Sequence, residues 1–200
     1  MLVLVARAIA RKSVRFVGRI DDRRQRIFFA NHTSHLDFIL IWSSLPRQVR
    51  ERTRPVARRD YWERSRFRRY YVRKVFNAVL IDRALPDSGD GLDRNGREPI
   101  EQMLEGLGDE HSLILFPEGT RGSGESVGQF RSGLYYLCRA RPDVELVPVR
   151  IQGANKVLPK GRIVPTPQQS ALTFGLPMRL EEGEKKAAFI ERARAALHTL

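Results

Sequence analysis

The chain has 200 residues, 42% of them hydrophobic, which is enough for one domain with a substantial apolar core. These values exclude an intrinsically disordered chain, because such chains have too few apolar side chains to form a core. The formal net charge is +13, so anionic partners are expected: a nucleic acid, an anionic lipid surface or an acidic carrier.

The first ten residues are apolar apart from Arg7, and they predict a helix that either packs in the core or lies at a lipid interface. The run is too short for a transmembrane helix, which needs about 20 apolar residues. A signal peptide is disfavoured because its positive charge precedes the apolar stretch, whereas here the charge follows it. We therefore expect residues 1–200 to form a single domain, with residues 1–20 as a candidate membrane-interface segment.

Short apolar runs then alternate with helical patterns, which is typical of an α/β architecture. Strands are predicted at residues 26–30, 55–57, 78–81, 112–116, 144–151 and 171–174. Helices are predicted at residues 34–45, 60–77, 98–107, 132–141 and 184–200, and glycine-rich loops at residues 86–96 and 122–128. The expected fold is a single α/β domain with a mixed, mostly parallel sheet flanked by helices.

The one cysteine, Cys138, lies in the apolar run 133–138 and is predicted to be a buried core residue rather than a nucleophile. A single cysteine allows no intrachain disulfide, which is typical of a reducing compartment. The Cys/His spacing of metal sites is absent from the sequence, so no metal ion is expected.

Three polar clusters directly follow predicted strands: His32, Arg83 and the turn 117–121. Open α/β sheets bind ligands beyond the carboxyl ends of their strands. We therefore expect these clusters to converge on one site.

The first cluster is the motif N-H-T-S-H-L-D at residues 31–37. If His32 lies in the loop and Asp37 in the first turns of the helix, the carboxylate can bind one imidazole nitrogen and leave the other as a base. Thr33 and Ser34 are predicted N-caps of that helix. His35 is a rival base, but it falls on a different face of the turn from Asp37.

The second cluster is F-P-E-G-T-R at residues 116–121. A guanidinium such as that of Arg121 can bind a phosphate bidentately, and a glycine such as Gly119 lets backbone amides approach an anion. The third cluster is I-D-R at residues 81–83, where Arg83 stands at a strand tip. A solvated turn or a surface salt bridge would also account for each of these two clusters taken alone.

In this order and spacing, N-H-x-x-x-x-D, I-D-R, F-P-E-G-T-R and Val147-Pro148-Val149 closely resemble the glycerolipid acyltransferase family, over about residues 29–153. That family includes the 1-acyl-glycerol-3-phosphate acyltransferases. The resemblance implies that His32 is the general base, that Asp37 orients it, and that the 147–149 block supports the site. It also implies a group of residues that bind the acceptor's phosphate: Arg83, Glu118, Gly119, Thr120 and Arg121.

The implied reaction moves a fatty acyl group from a thioester, acyl-CoA or acyl carrier protein, to the hydroxyl of 1-acyl-glycerol-3-phosphate or a related lysophospholipid. A thioester is already activated, so no cofactor is expected. The sequence has no G-x-S-x-G motif, which disfavours a serine acyl-enzyme and favours direct transfer. The sequence leaves open the donor, the acyl length, the acceptor and the oligomeric state.

Residues 61–76 combine aromatic side chains with six lysine and arginine residues. This composition suits the headgroup region of an anionic bilayer, but also a core helix with a solvated basic face. We expect the protein to be cytoplasmic and peripheral on the inner face of the cell membrane.

Two alternative functions remain at this point. A basic nucleic-acid-binding or anion-binding module would explain the charge but would leave the two motifs H-x-x-x-x-D and P-E-G-T-R without a role, so no nucleic acid is expected. A thioesterase would use water in place of the lipid hydroxyl and would not need the phosphate-binding arginines.

Overall fold

The computed structural model describes residues 12–20, 24–34, 36–82, 94–122, 124, 126–157 and 169–200. Among these residues, one sheet is formed by the strands β1 (Lys12–Phe16), β2 (Arg26–Ala30), β3 (Thr53–Arg58), β4 (Val79–Ile81), β5 (Ser112–Leu115), β6 (Glu145–Gln152) and β7 (Ser170–Phe174). Their order across the sheet is β1-β7-β6-β2-β5-β3-β4. The five strands from β6 to β4 are parallel, and β7 runs antiparallel to β6.

The helices are α1 (Asp37–Ser44), α2 (Arg47–Glu51), α3 (Arg59–Trp62), α4 (Arg66–Tyr70), α5 (Arg94–Leu107), α6 (Gly133–Ala140), α7 (Ala154–Val157) and α8 (Lys186–His198). A five-residue π-helix (Tyr71–Val75) directly continues α4. No helix in these described ranges combines the length and the apolar character that crossing a bilayer requires.

Strand β2 lies in the middle of the parallel sheet and all five of its residues are buried. A parallel strand covered on both faces needs apolar side chains at consecutive positions, which is what this run of aromatic and aliphatic residues supplies. Ile27 and Phe29 pack with α5, α6 and α8 on one face, whereas Phe28 and Ala30 pack with α1 on the other. The sheet is therefore the middle layer of three.

The predicted α/β fold with a mixed, mostly parallel sheet is confirmed. Each of the six predicted strands is present, with ends shifted by at most one residue in all but the strand predicted at 55–57, which begins two residues earlier and spans Thr53–Arg58. Strand β1 was not predicted, and residues 1–11 lie outside the described residues. The part of the candidate interface segment that is described therefore contains a strand, paired in parallel with β7.

The single helix predicted for residues 60–77 is wrong, because this stretch is divided. Ser65 is extended, with φ −134° and ψ 149°, and its side chain accepts a hydrogen bond from the backbone N–H of Arg68. This cap starts a new helix after a break. At the other end, Asn77 has a φ of +46°, a conformation in which a helix cannot continue.

The loop predicted for residues 86–96 is wrong at its end, because α5 already begins at Arg94. Residues 86–93 lie outside the described residues. Pro99 is the sixth residue of this helix, so the helix lacks the hydrogen bond that an amide there would donate to the carbonyl oxygen four residues earlier.

Candidate active site

The carboxyl ends of β2, β5, β3 and β4 lie at one edge of the sheet, because these four strands are parallel neighbours. His32 follows β2, the turn 116–121 follows β5, and Asp82 follows β4. Arg58 is the last residue of β3, the strand that lies between β5 and β4. The sheet topology therefore brings His32, the turn 116–121 and Asp82 of the third cluster to a common edge.

His32 and Asp37 are in direct contact across the start of α1. The imidazole Nδ1 lies 2.9 Å from Asp37 Oδ2, and a carboxylate oxygen accepts, so Nδ1–H donates. This arrangement leaves Nε2 with its lone pair free of the carboxylate. The His32 side chain is 23% exposed whereas that of Asp37 is fully buried, so a bound molecule can reach the ring but not the carboxylate.

The Asp37 carboxylate also organises the loop before α1. Its Oδ2 atom accepts the backbone N–H groups of Thr33 and Ser34, at 2.6 and 2.8 Å. Its Oδ1 atom accepts the Thr33 hydroxyl at 3.3 Å. The prediction that Thr33 caps α1 is wrong, because its amide and its hydroxyl both donate to Asp37. The prediction for Ser34 is confirmed in part, since its Oγ atom accepts the backbone N–H of Leu36, just before α1, at 3.3 Å.

The ring of Phe116 lies against the His32 ring. The two centroids are 4.2 Å apart and the planes differ by 20°, a stacked pair. With Asp37 bound to its edge and Phe116 on its face, the imidazole has little freedom to rotate. Phe116 is the first residue of the F-P-E-G-T-R motif, so the two motifs touch through these rings.

Asn31 fastens the His32 loop to strand β6. Its side-chain amide donates to the carbonyl oxygen of Ile151 at 2.9 Å and accepts the N–H of Ile151 at 2.8 Å. This pair of bonds continues the ladder in which Ala30 is aligned with Val149. The Asn31 side chain is buried, so both bonds form away from water, where leaving them unmade would be costly.

Glu118 connects the second motif to the first. Its carboxylate accepts the backbone N–H of His32 at 3.1 Å, and the Gly122 N–H donates to the His32 carbonyl oxygen at 2.8 Å. The Glu118 side chain is buried, and this desolvation raises its pKa above the usual value, against the lowering effect of the amide hydrogen bonds. The predicted ligand for a substrate phosphate is thus engaged with the loop that carries the base.

Two glycines keep this turn tightly packed. Gly119 has a φ of +67°, and a β-carbon there would lie 2.6 Å from the Arg131 Nε atom. A β-carbon on Gly128 would lie 2.8 Å from the Glu118 Oε2 atom. A β-carbon at either position would therefore force the neighbouring Arg131 or Glu118 side chain to move.

The remaining predicted phosphate ligands are Thr120, Arg121 and Arg83. Thr120 and Arg121 are exposed at the tip of the turn, and Arg121 directly precedes the Gly122 amide that binds the His32 loop. Arg83 lies outside the described residues, as does the rival base His35. Asp82, which precedes Arg83, accepts hydrogen bonds from Arg59 Nε at 3.0 Å and from Gln102 Nε2 at 3.0 Å.

Sequence analysis missed two arginines near this edge. Arg58 ends β3 and forms an ion pair with Asp60; the same strand-end rule that selected Arg83 would have found it. Arg131 packs under Gly119 and lines a groove of about 470 Å³ that also contacts Glu118, Lys186 and Ile190. No local pattern indicates Arg131, because its place depends on how the chain returns from the turn into α6.

Cys138 is buried in α6, as predicted, and burial raises the pKa of its thiol to about 12, so it is not a nucleophile. Within the described ranges, no group of three or more histidine, cysteine, aspartate or glutamate side chains is arranged to hold a metal ion.

Comparison with known proteins yields consistent matches. Residues 13–152 match the family model described as Acyltransferase. The chain is 24% identical to the 1-acyl-sn-glycerol-3-phosphate acyltransferase of Cocos nucifera, over 84% of this chain and 51% of that protein. It is 30% identical to the Taffazin of Dictyostelium discoideum, over 74% of this chain and 54% of that protein.

The fold is shared with a solved structure, that of the 1-acyl-sn-glycerophosphate (LPA) acyltransferase PlsC from Thermotoga maritima. The TM-score is 0.74 at 20% identity, with 99% of this chain and 77% of the other covered. The chain spans about half the length of the two curated relatives named above.

Proposed function

Since this chain belongs to the acyltransferase family, we propose that it transfers a fatty acyl group from a thioester to the hydroxyl of 1-acyl-glycerol-3-phosphate or a related lysophospholipid. The observation that carries the proposal is the His32–Asp37 pair, held by hydrogen bonds against the turn that bears Arg121. A base beside a candidate phosphate ligand matches an acceptor that has both a hydroxyl and a phosphate.

The proposed chemistry is a single acyl transfer within a ternary complex. His32 Nε2 takes the proton of the acceptor hydroxyl as its oxygen attacks the thioester carbonyl carbon. The tetrahedral intermediate collapses by breaking the carbon–sulfur bond, and the proton on His32 passes to the departing thiolate. The products are an ester and a free thiol, and Asp37 stabilises the transient imidazolium throughout.

In this proposal the exposed Arg121 binds the acceptor phosphate, together with Arg83, and so orients the hydroxyl toward His32. Gly119 and Thr120 shape the tip of the turn. We assign Glu118 a different task from the one that the resemblance implies: its buried carboxylate positions the His32 backbone instead of contacting the phosphate.

We propose acyl-CoA or acyl carrier protein as the donor and no cofactor, because the thioester supplies the activation. The acceptor is an amphiphile, so the reaction belongs at a lipid surface. The net charge of +13 favours an anionic one, and we propose a peripheral position on the cytoplasmic face of the cell membrane.

Mass spectrometry of the products tests this proposal. Purified protein is given a mixture of lysolipids with acyl-CoA or with acyl carrier protein, and we expect one acceptor class to gain an acyl chain. Arg121→Ala should raise the KM for that acceptor about tenfold or more, whereas Arg139→Ala, at an exposed position on α6, should not. Equal thioester consumption with and without acceptor would instead indicate a thioesterase.

A further inference from the structure

Two large aromatic side chains on α4 are exposed to solvent. Phe67 is 71% exposed and Tyr70 is 60% exposed. They lie three positions apart in a helix, so they belong to the same side of it. Aromatic rings left in water next to one another indicate a partner that covers them.

The surroundings of these rings are basic. The 61–76 segment holds six lysine and arginine residues and one acid, Glu63, which forms an ion pair with Arg73. Arg66, Arg69 and Lys74 are exposed. Aromatic rings that project from a cationic surface are the combination that binds the headgroup region of anionic lipids.

The inner side of the same segment packs on α1 through edge-to-face aromatic contacts. Phe38 contacts Trp62 and Phe76, with ring centroids 5.6 and 5.0 Å apart, and Trp42 contacts Phe76 at 5.4 Å. Phe38 directly follows Asp37. The segment that carries the exposed rings is therefore anchored, through Trp62 and Phe76 on either side of α4, to the helix that contains Asp37.

We propose that the outer side of α4 is a docking surface for an anionic bilayer, with Phe67 and Tyr70 inserted at the headgroup level and Arg66 and Arg69 on lipid phosphates. The inference rests on the proposed function and deepens it. Because the same segment contacts α1 through Trp62 and Phe76, docking here would hold the His32 site close to the lipid that supplies its acceptor.

Co-sedimentation with phosphatidylcholine vesicles, with or without phosphatidylglycerol, tests the surface. We expect binding only with the anionic lipid. The double substitution Phe67→Ser/Tyr70→Ser should reduce this binding about tenfold or more, as should Arg66→Glu/Arg69→Glu.

A matched control reports whether position matters. Arg139→Glu/Lys185→Glu makes the same change in net charge as Arg66→Glu/Arg69→Glu at two exposed positions, one on α6 and one directly before α8. This control should bind vesicles like the wild-type protein; an equal loss in the control and in the charge variant would overturn the proposal. Binding to an oligonucleotide by a wild-type protein that ignores vesicles would overturn it as well.

Activity on a monomeric short-chain acceptor, without vesicles, separates this inference from the function on which it rests. If the wild type transfers no acyl group there, the proposed function fails, while the vesicle assay still reports on docking. If the α4 variants keep the wild-type rate there and lose it only with vesicle-embedded acceptor, docking is supported. Unchanged rates on the embedded acceptor would refute it.

Discussion

At the scale of single residues, Asp37 connects the base to the backbone around it. The same carboxylate oxygen that binds the His32 ring accepts the amides of Thr33 and Ser34. A carboxylate can accept all of these bonds at once, because both of its oxygens are acceptors. A primary amide has one accepting oxygen and an NH2 group, which only donates. Substitution at this position therefore affects the ring and the loop together.

We predict that Asp37→Asn lowers kcat by about 10²–10⁴-fold with little change in the KM for the acceptor, because it favours the wrong imidazole tautomer. It should also lower the free energy of unfolding by at least about 1–3 kcal/mol, since an NH2 group turned toward the ring leaves the backbone N–H groups of Thr33 and Ser34 without their acceptor. Steady-state kinetics and urea unfolding measure the two effects. Asp143→Asn, at an exposed ion pair with Arg141, is the control and should leave kcat unchanged.

Glu118 has a pKa raised by its burial above the usual value of 4.5. In the pH range just above 4.5, the folded protein therefore holds this proton more often than the unfolded chain does. The contribution of this group to the free energy of unfolding is full below that range and is lost as the pH rises through it. Glu118→Gln has no such proton to lose.

We predict that the free energy of unfolding of the wild type, minus that of Glu118→Gln, falls as the pH rises through this range. Urea unfolding at several pH values measures the difference, and one that rose with pH would contradict the burial argument. If Glu118 positions the His32 loop, the substitution should lower kcat more than it raises the acceptor KM. A change confined to the acceptor KM would instead indicate that Glu118 contributes to binding the acceptor phosphate.

At the scale of elements, the site is made from the β2–α1 and β5–α6 connections, which are joined side by side. Glu118 accepts from the His32 amide, and the His32 carbonyl accepts from Gly122. Within the β5–α6 connection, the backbone N–H of Arg131 donates to the Pro117 carbonyl oxygen at 2.9 Å, which joins the two ends of this loop. The position of the base is thus sensitive to packing around Glu118.

A pair of glycine substitutions tests this dependence. Gly128→Ala should push the Glu118 carboxylate away from the His32 amide and lower kcat about tenfold or more, with a loss of about 1–3 kcal/mol in stability. At Gly133, the first residue of α6, a β-carbon meets nothing within 4 Å. Gly133→Ala should therefore keep kcat and be neutral or up to about 1 kcal/mol more stable. Equal kinetics for the two variants would show that Glu118 does not control the base.

The element-level predictions from sequence succeeded where hydrophobic runs were continuous, as in β2 and β5, because a buried strand needs apolar side chains at every position. They failed where a single polar side chain changes the backbone. Ser65 starts a second helix inside a regular apolar pattern, and Thr33, predicted to cap α1, instead donates to the Asp37 carboxylate. Such hydrogen bonds depend on local geometry that spacing does not specify.

At the scale of the whole molecule, the site depends on the order of strands in the sheet. The expectation that strand ends converge could be drawn from sequence, because it needs only parallel strands and polar residues after them. That β2 lies between β5 and β6 could not, since strand order is set by packing across the chain. For the same reason the ring contact with Phe116, the anchor from Asn31 to β6 and the position of Arg131 had to come from the structure.

The most direct measurement is the rate of ester formation by His32→Ala, at saturating thioester and lysophospholipid, beside the wild type and His111→Ala. His111 directly precedes β5, at the opposite edge of the sheet from His32. We predict that His32→Ala loses at least about 10²-fold in kcat while its unfolding transition stays cooperative, and that His111→Ala keeps the wild-type rate. A folded His32→Ala protein that makes ester at the wild-type rate would contradict the account.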